Sequence, residues 1–263
     1  DGSVHIGHRI IAKVSRLEVA AHFMQPAPES LLKQLLEAGV ISSGQAQLAA
    51  RVPMADDITV EADSGGHTDN RPLVCLLPAV VSLRDQLQQQ YNYPQQVRVG
   101  AAGGIGTPEA VLAAFSMGAA FVVTGSINQS CLESGSSDHV RKVLAQADMT
   151  DTIMAPAADM FEMGVKLQVL KKGTLFGLRA QKLLDLYLAY DNWSDVPEKD
   201  RLNLEKNLFR DTFDRIWQHC VAFFQERDPE QITRAENNPK RKMALVFRWY
   251  LGLSSAWANR GEP

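Results

Sequence analysis

The sequence lacks the features that define several protein classes. Its 263 residues contain no apolar run as long as a membrane span and no evident signal peptide. The three cysteines, Cys75, Cys131 and Cys220, have neither metal-ligand spacing nor the density of a disulfide framework. A net charge of −3 disfavours a general nucleic-acid-binding protein. We therefore expect a cytoplasmic globular protein with no metal site, and neither membrane nor nucleic acid as a partner.

No dinucleotide fingerprint of the Rossmann type is present, but a different glycine-rich pattern is. The segment Val97–Gly106, VRVGAAGGIG, reads as a short buried strand followed by a glycine turn. Thr107 is a natural N-cap for the next helix, and Pro108 suits its first position because its missing N–H is not needed there. A strand, a glycine turn and a helix N-terminus together favour binding of a phosphate.

A second strand of the same kind follows one helix later. Phe121–Thr124 ends at Gly125 and Ser126. The carboxyl ends of neighbouring parallel strands lie at one edge of a sheet, so the two glycine loops are predicted to bind one phosphate together. In (β/α)8 barrels the loops after strands 7 and 8 frequently do this.

Strands and helices alternate through the first half of the chain. Strands are predicted at Arg9–Val14, Ile58–Asp63, Val97–Ala101 and Phe121–Thr124, which indicates an α/β fold with a parallel sheet. Ser15 is the predicted N-cap of a helix that ends at Met24. Four strands do not close a barrel, so either the sheet is open or further strands lie upstream. Residues 25–57 are predicted to form a helical insertion. This insertion is either a lid or interaction surface, or a surface insertion without a function.

The segment with the strongest candidate for a catalytic residue follows the second strand. Gly65 and Gly66 precede His67, and the two glycines would let a ligand lie against the backbone. Neutral imidazole can transfer a proton near pH 7. A lone histidine is more often structural, but this one follows a strand at the same edge as the two phosphate loops, which favours catalysis.

Other polar residues near this edge have two readings each. Lys13, near the carboxyl end of the first strand, is either a solvated lysine or a ligand, and we include it among the cofactor-binding residues. Glu61 and Asp63 either bind substrate or pair internally. Farther along, Met154–Gly164 either lines a pocket or packs in a core. The basic run Lys240–Lys242 either docks an acidic carrier protein or is a solvated helix start.

Several longer motifs carry a family resemblance. The segments ADSGGHTDN and VRVGAAGGIGTPEAVLAAFSMGAAFVVTGS resemble the superfamily of FMN-dependent nitronate monooxygenases and enoyl reductases. The segments MAPAADMFEMGVKLQVLKKGT and RKMALVFRWYLGLSSAWANRGEP are similar to the trans-acting enoyl reductases of polyunsaturated fatty acid and polyketide synthases. Asp63 and Ser64 stand where the monooxygenases usually have Glu-Ala, which favours the reductases. The resemblance extends over nearly the whole chain.

The resemblance implies a (β/α)8 TIM barrel of which this chain carries about the C-terminal half. Residues 1–150 would be that half-barrel, with the helical insertion at 25–57, and residues 151–263 would be a barrel-mouth segment and a helical appendage. The first four strands of the barrel would then be missing from this sequence, which we expect to be part of a longer protein.

The resemblance also implies a function. It predicts an FMN-dependent enoyl reductase that reduces the 2,3 double bond of enoyl thioesters on acyl carrier proteins, with NADPH as a transient hydride donor. His67 would be the active-site histidine. The cofactor-binding residues would be Gly103, Gly104, Gly125, Ser126, Lys13, Gly65 and Gly66. The partners would be the acyl carrier protein domains of a multienzyme synthase, with a homodimer left open.

Three alternative functions stay open on the sequence alone. The first is a nitronate monooxygenase on the same scaffold. The second is a flavin-free, phosphate-binding isomerase or aldolase, because a fold does not determine a function. The third is a catalytically inactive barrel whose helical appendage serves as a scaffold inside a synthase.

Overall fold

The chain folds into two compact units. A computed structural model describes residues 4–262, and the units are Asp1–Ile127 and Asn128–Pro263. The boundary between the compact units lies earlier in the chain than the division predicted at residue 150. The assignment of residues 1–150 to a half-barrel and of 151–263 to an appendage stays a prediction.

The first unit is built on a four-stranded parallel sheet. Its strands are β1 (Ile11–Val14), β2 (Asp57–Glu61), β3 (Arg98–Ala102) and β4 (Val122–Val123), and they lie side by side in that order. Each strand pairs in parallel with the next, as in Val60 beside Ala101. The predicted α/β class with a parallel sheet is confirmed, and each predicted strand is found within a few residues of its limits. Closure into a barrel with further strands stays a prediction.

Three helices, α1 (Leu17–Met24), α4 (Leu73–Tyr91) and α5 (Pro108–Ser116), connect these strands and join them in one core. Alternate residues of β2 and β3, namely Ile58, Val60, Val99 and Ala101, are buried in this core because successive strand side chains point to opposite faces. Leu77 and Val80 of α4 lie in the same cluster. This apolar face is what holds the sheet in place.

The other face of the sheet carries two charged pairs. Asp57 accepts two hydrogen bonds from Arg98, at 2.7 Å from Nε and 2.6 Å from Nη2, and this pairing raises the pKa of the Arg98 guanidinium. The ring of Phe121 fills the space above Gly100, where a Cβ atom would lie 2.2 Å from the ring. At the carboxyl end of this face, Lys13 pairs with Glu61.

The insertion between α1 and β2 is a helical hairpin closed at its neck. It contains α2 (Glu29–Glu37) and α3 (Ser43–Ala49). The backbone N–H of Met54 donates to the carbonyl of Gln25 at 3.0 Å, and that of Ala55 donates to Phe23 at 2.9 Å. The hairpin therefore leaves and rejoins the unit at one point. None of the α2 residues is buried.

Two predicted helix caps have different outcomes. Thr107 caps α5, accepting a hydrogen bond from the N–H of Ala110 at 3.2 Å, with Pro108 in the first turn, as predicted. The prediction for Ser15 is wrong: Arg16 occupies the N-cap position of α1 without a side-chain hydrogen bond to the helix. The Ser15 hydroxyl instead donates to Asp69 at 2.6 Å. The Ser15 hydroxyl therefore bonds to a residue that is distant in sequence instead of capping the helix.

The second unit is mainly helical. The short α6 (Ser126–Gln129) leads into it, and α7 (Asp138–Ala145), α8 (Phe176–Ala189) and α9 (Glu198–Asn203) follow. The remaining helices are α10 (Phe213–Arg227), α11 (Glu230–Glu236) and α12 (Pro239–Arg260). The segment that begins with α9 does not continue as a regular α-helix. After α9 the chain makes a wide π-helical turn, Leu204–Phe209, which buries its first and last residues five positions apart.

A two-stranded antiparallel hairpin joins the helices of this unit. Its strands are β5 (Thr152–Pro156) and β6 (Lys166–Leu170). Sequence reasoning missed it because the connecting segment has none of the Asn-Gly or Asp-Gly turn signals that mark short hairpins. In that segment Phe161 is completely buried in the aromatic core, 6.2 Å from the Phe247 ring, whereas Met163 is exposed. Phe161 therefore packs in a core rather than lining a pocket.

Candidate active site at the carboxyl edge of the sheet

The loop that carries His67 is organised by its own polar side chains. Gly66 adopts a positive φ of 88°, which turns the chain so that His67 is exposed at the surface. The Thr68 hydroxyl oxygen accepts hydrogen bonds from the backbone N–H groups of Ser64, at 3.3 Å, and Asn70, at 3.1 Å. The same hydroxyl donates to the carbonyl oxygen of Ala62 at 3.5 Å. The Thr68 side chain thus bonds to the main chain both before and after His67 in the sequence.

The base of this loop is fixed by two further contacts. Asn70 donates from its side-chain amide to a carboxylate oxygen of Asp63 at 2.8 Å. The backbone N–H of Asp63 donates to the carbonyl of Arg71 at 2.8 Å. Of the two readings that the sequence leaves open for Asp63, the internal pairing is the one observed.

The first glycine loop packs directly against the base of the His67 loop. Gly103 and Gly104 have φ values of 91° and 68°. A Cβ atom on Gly103 would lie 2.7 Å from the carbonyl oxygen of Asp63 and 2.8 Å from that of Ala62. A side chain is therefore excluded at Gly103 both by backbone conformation and by space. The β3 loop and the β2 loop meet here backbone to backbone.

The second glycine loop also reaches the His67 loop. A Cβ atom on Gly65 would lie 3.7 Å from the hydroxyl oxygen of Ser126, which is an ordinary van der Waals distance. Nothing lies within 4 Å of the Cβ position of Gly125. The structure thus brings together Gly65, Gly103 and Ser126, which come from the loops after β2, β3 and β4. All three loops leave the carboxyl edge of the parallel sheet.

Lys13 lies at this edge and is held by an acidic partner. Its ammonium is 2.7 Å from Glu61, whose side chain is 18% exposed, whereas that of Lys13 is 61% exposed. Glu61 also accepts a hydrogen bond from the hydroxyl of Ser64 at 3.2 Å. Glu61 therefore connects Lys13 on β1 with the first residues of the His67 loop. Because Lys13 is exposed, the pair is worth at most about 1 kcal/mol of stability.

Sequence reasoning identified the residues of the glycine loops but missed those that hold them. The sequence patterns assign no role to Thr68, Asp69 or Asn70. Asp69 accepts from Ser15 and lies 3.6 Å from the guanidinium of Arg16, so the β1 and β2 loops are joined there. Ser, Thr and Asn next to a glycine pair commonly form side-chain-to-backbone turns, and that was the available signal.

The basic run at the start of α12 is engaged within its own unit. Lys240 lies 2.7 Å from Asp191, and Lys242 lies 3.8 Å from Asp214 and above the ring of Trp217. Arg241 donates to the side chain of Gln231. These contacts give the run a role in joining helices. Docking of an acidic carrier stays one of the two hypotheses for this run, beside a solvated helix start.

Two other kinds of feature are absent from residues 4–262. Within that range no helix is both long enough and apolar enough to cross a membrane. The same residues contain no group of three or more His, Cys, Asp or Glu side chains placed to hold a metal ion.

Two curated proteins are similar to nearly the whole chain. A polyunsaturated fatty acid synthase subunit of Thraustochytrium sp. is 56% identical over 265 residues, which cover 99% of this chain and 18% of that protein. Polyketide biosynthesis protein PksE of Bacillus subtilis is 49% identical over 262 residues, which cover 100% of this chain and 34% of that protein. The chain therefore spans about a third or less of the length of these relatives.

A solved structure and a family model give further matches. The enoyl reductase domain of MlnA, from the macrolactin biosynthesis cluster of Bacillus amyloliquefaciens, is 44% identical with a TM-score of 0.89, covering 97% of this chain and 56% of that one. The family model described as acyl-carrier-protein S-malonyltransferase, inserted helical domain, matches residues 190–263. The resemblance to trans-acting enoyl reductases of polyunsaturated fatty acid and polyketide synthases is confirmed.

Proposed function

We propose that this chain forms part of a flavin-dependent enoyl reductase that acts on enoyl thioesters of acyl carrier proteins. The observation that carries the proposal is the meeting of three loops at the carboxyl edge of the sheet, where Gly103 lies against Ala62 and Asp63 and Gly65 faces Ser126. In open and closed parallel sheets alike, ligands bind at this edge.

The residues at this edge are suited to an FMN phosphate. Gly103 and Gly104 have positive φ values and no side chains, a combination that lets main-chain N–H groups bind a phosphate. The space at the Cβ position of Gly125 is open, and Ser126 adds a hydroxyl next to it. The nine-residue helix α5 starts just after the first loop and contributes the positive end of its dipole. We assign phosphate binding to Gly103, Gly104, Gly125 and Ser126.

The remaining proposed ligands surround the same loops. Gly65 and Gly66 have no side chains, so we assign to them the contact between the His67 loop and a flat ring, and Lys13 supplies a positive charge that Glu61 keeps in place. When bound, FMN would supply the hydride chemistry between a nicotinamide, proposed to be that of NADPH, and the substrate double bond. The part of the protein is to hold and orient these groups.

His67 is the proposed proton donor. Reduction of a 2,3 double bond requires a proton at the α-carbon once hydride has reached the β-carbon, and an exposed imidazole next to the loops is suited to deliver it. The same imidazole can instead donate a hydrogen bond to the thioester oxygen, where negative charge develops. Both roles require the imidazole to occupy a fixed position relative to the phosphate loops.

The comparisons support the substrate class. The matched structure is named an enoyl reductase domain of a polyketide cluster, and a curated relative is named a polyunsaturated fatty acid synthase subunit. The family model on residues 190–263 is named after an enzyme that acts on acyl carrier protein. We therefore propose acyl carrier protein domains of a multienzyme synthase as partners. The complete (β/α)8 barrel, a homodimer and a cytoplasmic location also stay predictions.

The test is substitution of His67 in the complete polypeptide. We expect His67→Ala to retain the parent's FMN content and to lower kcat for a carrier-bound enoyl substrate by at least about 100-fold, the usual minimum for loss of a general acid. His22→Ala is the matched control, because His22 is also exposed but lies on α1. Parent-like turnover of His67→Ala would remove His67 from the mechanism. Failure of an FMN-loaded parent to reduce any enoyl thioester would refute the proposed function.

A further inference from the structure

One side chain connects His67 to the phosphate loop, and its role lies beyond the residues discussed so far. The Thr68 hydroxyl bonds on one side to the N–H groups of Ser64 and Asn70, which flank the Gly65–His67 turn. On the other side it donates to the carbonyl oxygen of Ala62. That carbonyl is one of the two against which Gly103 packs.

This arrangement gives the His67 loop and the phosphate loop a common attachment point. Gly103 has no side chain, so its backbone lies against the Ala62 and Asp63 peptide groups. Thr68 ties the turn that bears His67 to the same Ala62 carbonyl. A shift of the turn away from Ala62 would therefore change the distance between His67 and the phosphate loop. A misplacement of about 1 Å can lower turnover by up to about 100-fold.

We propose that Thr68 is a positioning residue that fixes His67 relative to the Gly103 loop. The inference rests on the proposed function for its effect on turnover, but not for its effect on the exposure and reactivity of His67. The three hydrogen bonds of Thr68 are all to main-chain groups, so the side chain determines backbone geometry rather than chemistry.

The chain offers a matched control on the neighbouring strand. Thr59 of β2 is 3% exposed, and its hydroxyl oxygen has no hydrogen-bond partner among the described residues. Thr59→Val therefore removes a hydroxyl of the same type without removing a hydrogen bond. Thr68→Val preserves side-chain shape and removes three hydrogen bonds, and Thr68→Ser preserves the hydroxyl.

The experiment has two readouts on the complete polypeptide. The first is the rate at which diethylpyrocarbonate modifies His67, followed by peptide mass spectrometry. The second is kcat and KM with a carrier-bound enoyl substrate, at matched FMN content. We expect Thr68→Val to change the modification rate at least about threefold and to lower kcat about tenfold, with KM within about twofold. We expect Thr68→Ser and Thr59→Val to stay within about twofold of the parent on both readouts.

Thermal midpoints are measured first, and if Thr68→Val does not fold, Thr68→Ala removes the same hydroxyl with the same expected results. A parent-like modification rate in the hydroxyl-free variant would overturn the inference, and so would equal defects in Thr68→Ser or Thr59→Val. If His67→Ala leaves turnover unchanged, the proposed function loses its proton donor, whereas the modification rates still decide whether Thr68 positions His67.

Discussion

The two units of the chain are stabilised by side chains of opposite character. The buried core of the first unit is aliphatic, and its strands and loops approach closely because glycines and alanines occupy the contacts. The buried core of the second unit contains Phe161, Phe209, Phe213, Phe247 and Tyr250. Adding a methyl group at a close backbone contact such as Gly103 is therefore expected to damage the first unit, whereas removing a buried ring is expected to damage the second.

This difference matches the binding role that is proposed for the first unit. Backbone N–H groups can bind a phosphate only where no side chain intervenes, so a binding edge needs glycine at the points of closest approach. A helical unit without such an edge gains most from large rings, since each buries a great deal of apolar area. In the second unit Trp193 stacks on Phe213 with centroids 4.5 Å apart.

The largest expected effect is that of one added methyl group at the binding edge. Gly103→Ala would place a Cβ atom within 2.8 Å of the Ala62 and Asp63 backbone at a positive φ, which forces the two loops apart. We expect FMN content, measured by absorbance and mass spectrometry, to fall at least about tenfold. Gly106→Ala is the control, because its Cβ atom meets nothing within 4 Å and should leave FMN content unchanged.

The second prediction applies the opposite change to the second unit. Phe247 is completely buried and contacts the rings of Phe161, Trp193 and Phe209. We expect Phe247→Ala to lower the free energy of unfolding by about 3–5 kcal/mol, because it leaves a cavity in a packed core. Urea unfolding followed by tryptophan fluorescence measures this. Leu188→Ala removes an exposed apolar side chain and should cost less than about 0.5 kcal/mol.

A third prediction uses a buried thiol of the second unit. Burial raises the pKa of Cys220 from 9.0 to about 12. The unfolded chain therefore loses this proton at a lower pH than the folded protein does, so the stability contribution is full below pH 9 and is lost between about pH 9 and pH 12. We expect this group to remove about 1 kcal/mol between pH 9 and pH 10. In Cys220→Ala that component of the pH dependence should be absent, and an identical slope in both proteins would contradict the assignment.

The smallest expected effect is the change in stability when the helical hairpin is removed from the first unit. Replacing residues 26–53 by Asn-Gly keeps the neck, because Gln25 and Met54 are already joined by a hydrogen bond as in a two-residue turn. No residue of 26–53 belongs to the buried core of this unit. We expect the thermal midpoint to change by less than about 4 °C, which corresponds to about 1 kcal/mol or less. A loss of folding would show that the hairpin is part of the core after all.

The features predictable from sequence were the local ones. Alternation of apolar residues gives strands, and the glycines before Thr107 and Ser126 mark the proposed binding edge without any knowledge of distant contacts. What could not be predicted depended on partners far along the chain. The Ser15 hydroxyl donates to Asp69, 54 residues away, and does not cap α1 as predicted. The role of Thr68 requires knowing that Gly103 packs against Ala62, which no local pattern indicates.

In the second unit, too, local sequence patterns did not predict features that depend on tertiary contacts. A helical appendage was expected from the family resemblance, but the β5–β6 hairpin, which has strands of only five residues and no turn signature, was not. The π-helical turn after α9 exists because it places Leu204 and Phe209 in the core together, which is a tertiary gain rather than a local preference.

The central claim is that the glycine loops at the carboxyl edge of the sheet bind FMN. The most direct measurement is the visible absorption spectrum of the purified complete polypeptide, recorded anaerobically before and after addition of NADPH, together with its intact mass. The account predicts flavin bands that bleach on addition of NADPH and an FMN that is released when the protein is denatured. A folded, complete polypeptide without flavin, which also fails to bind added FMN, would contradict it.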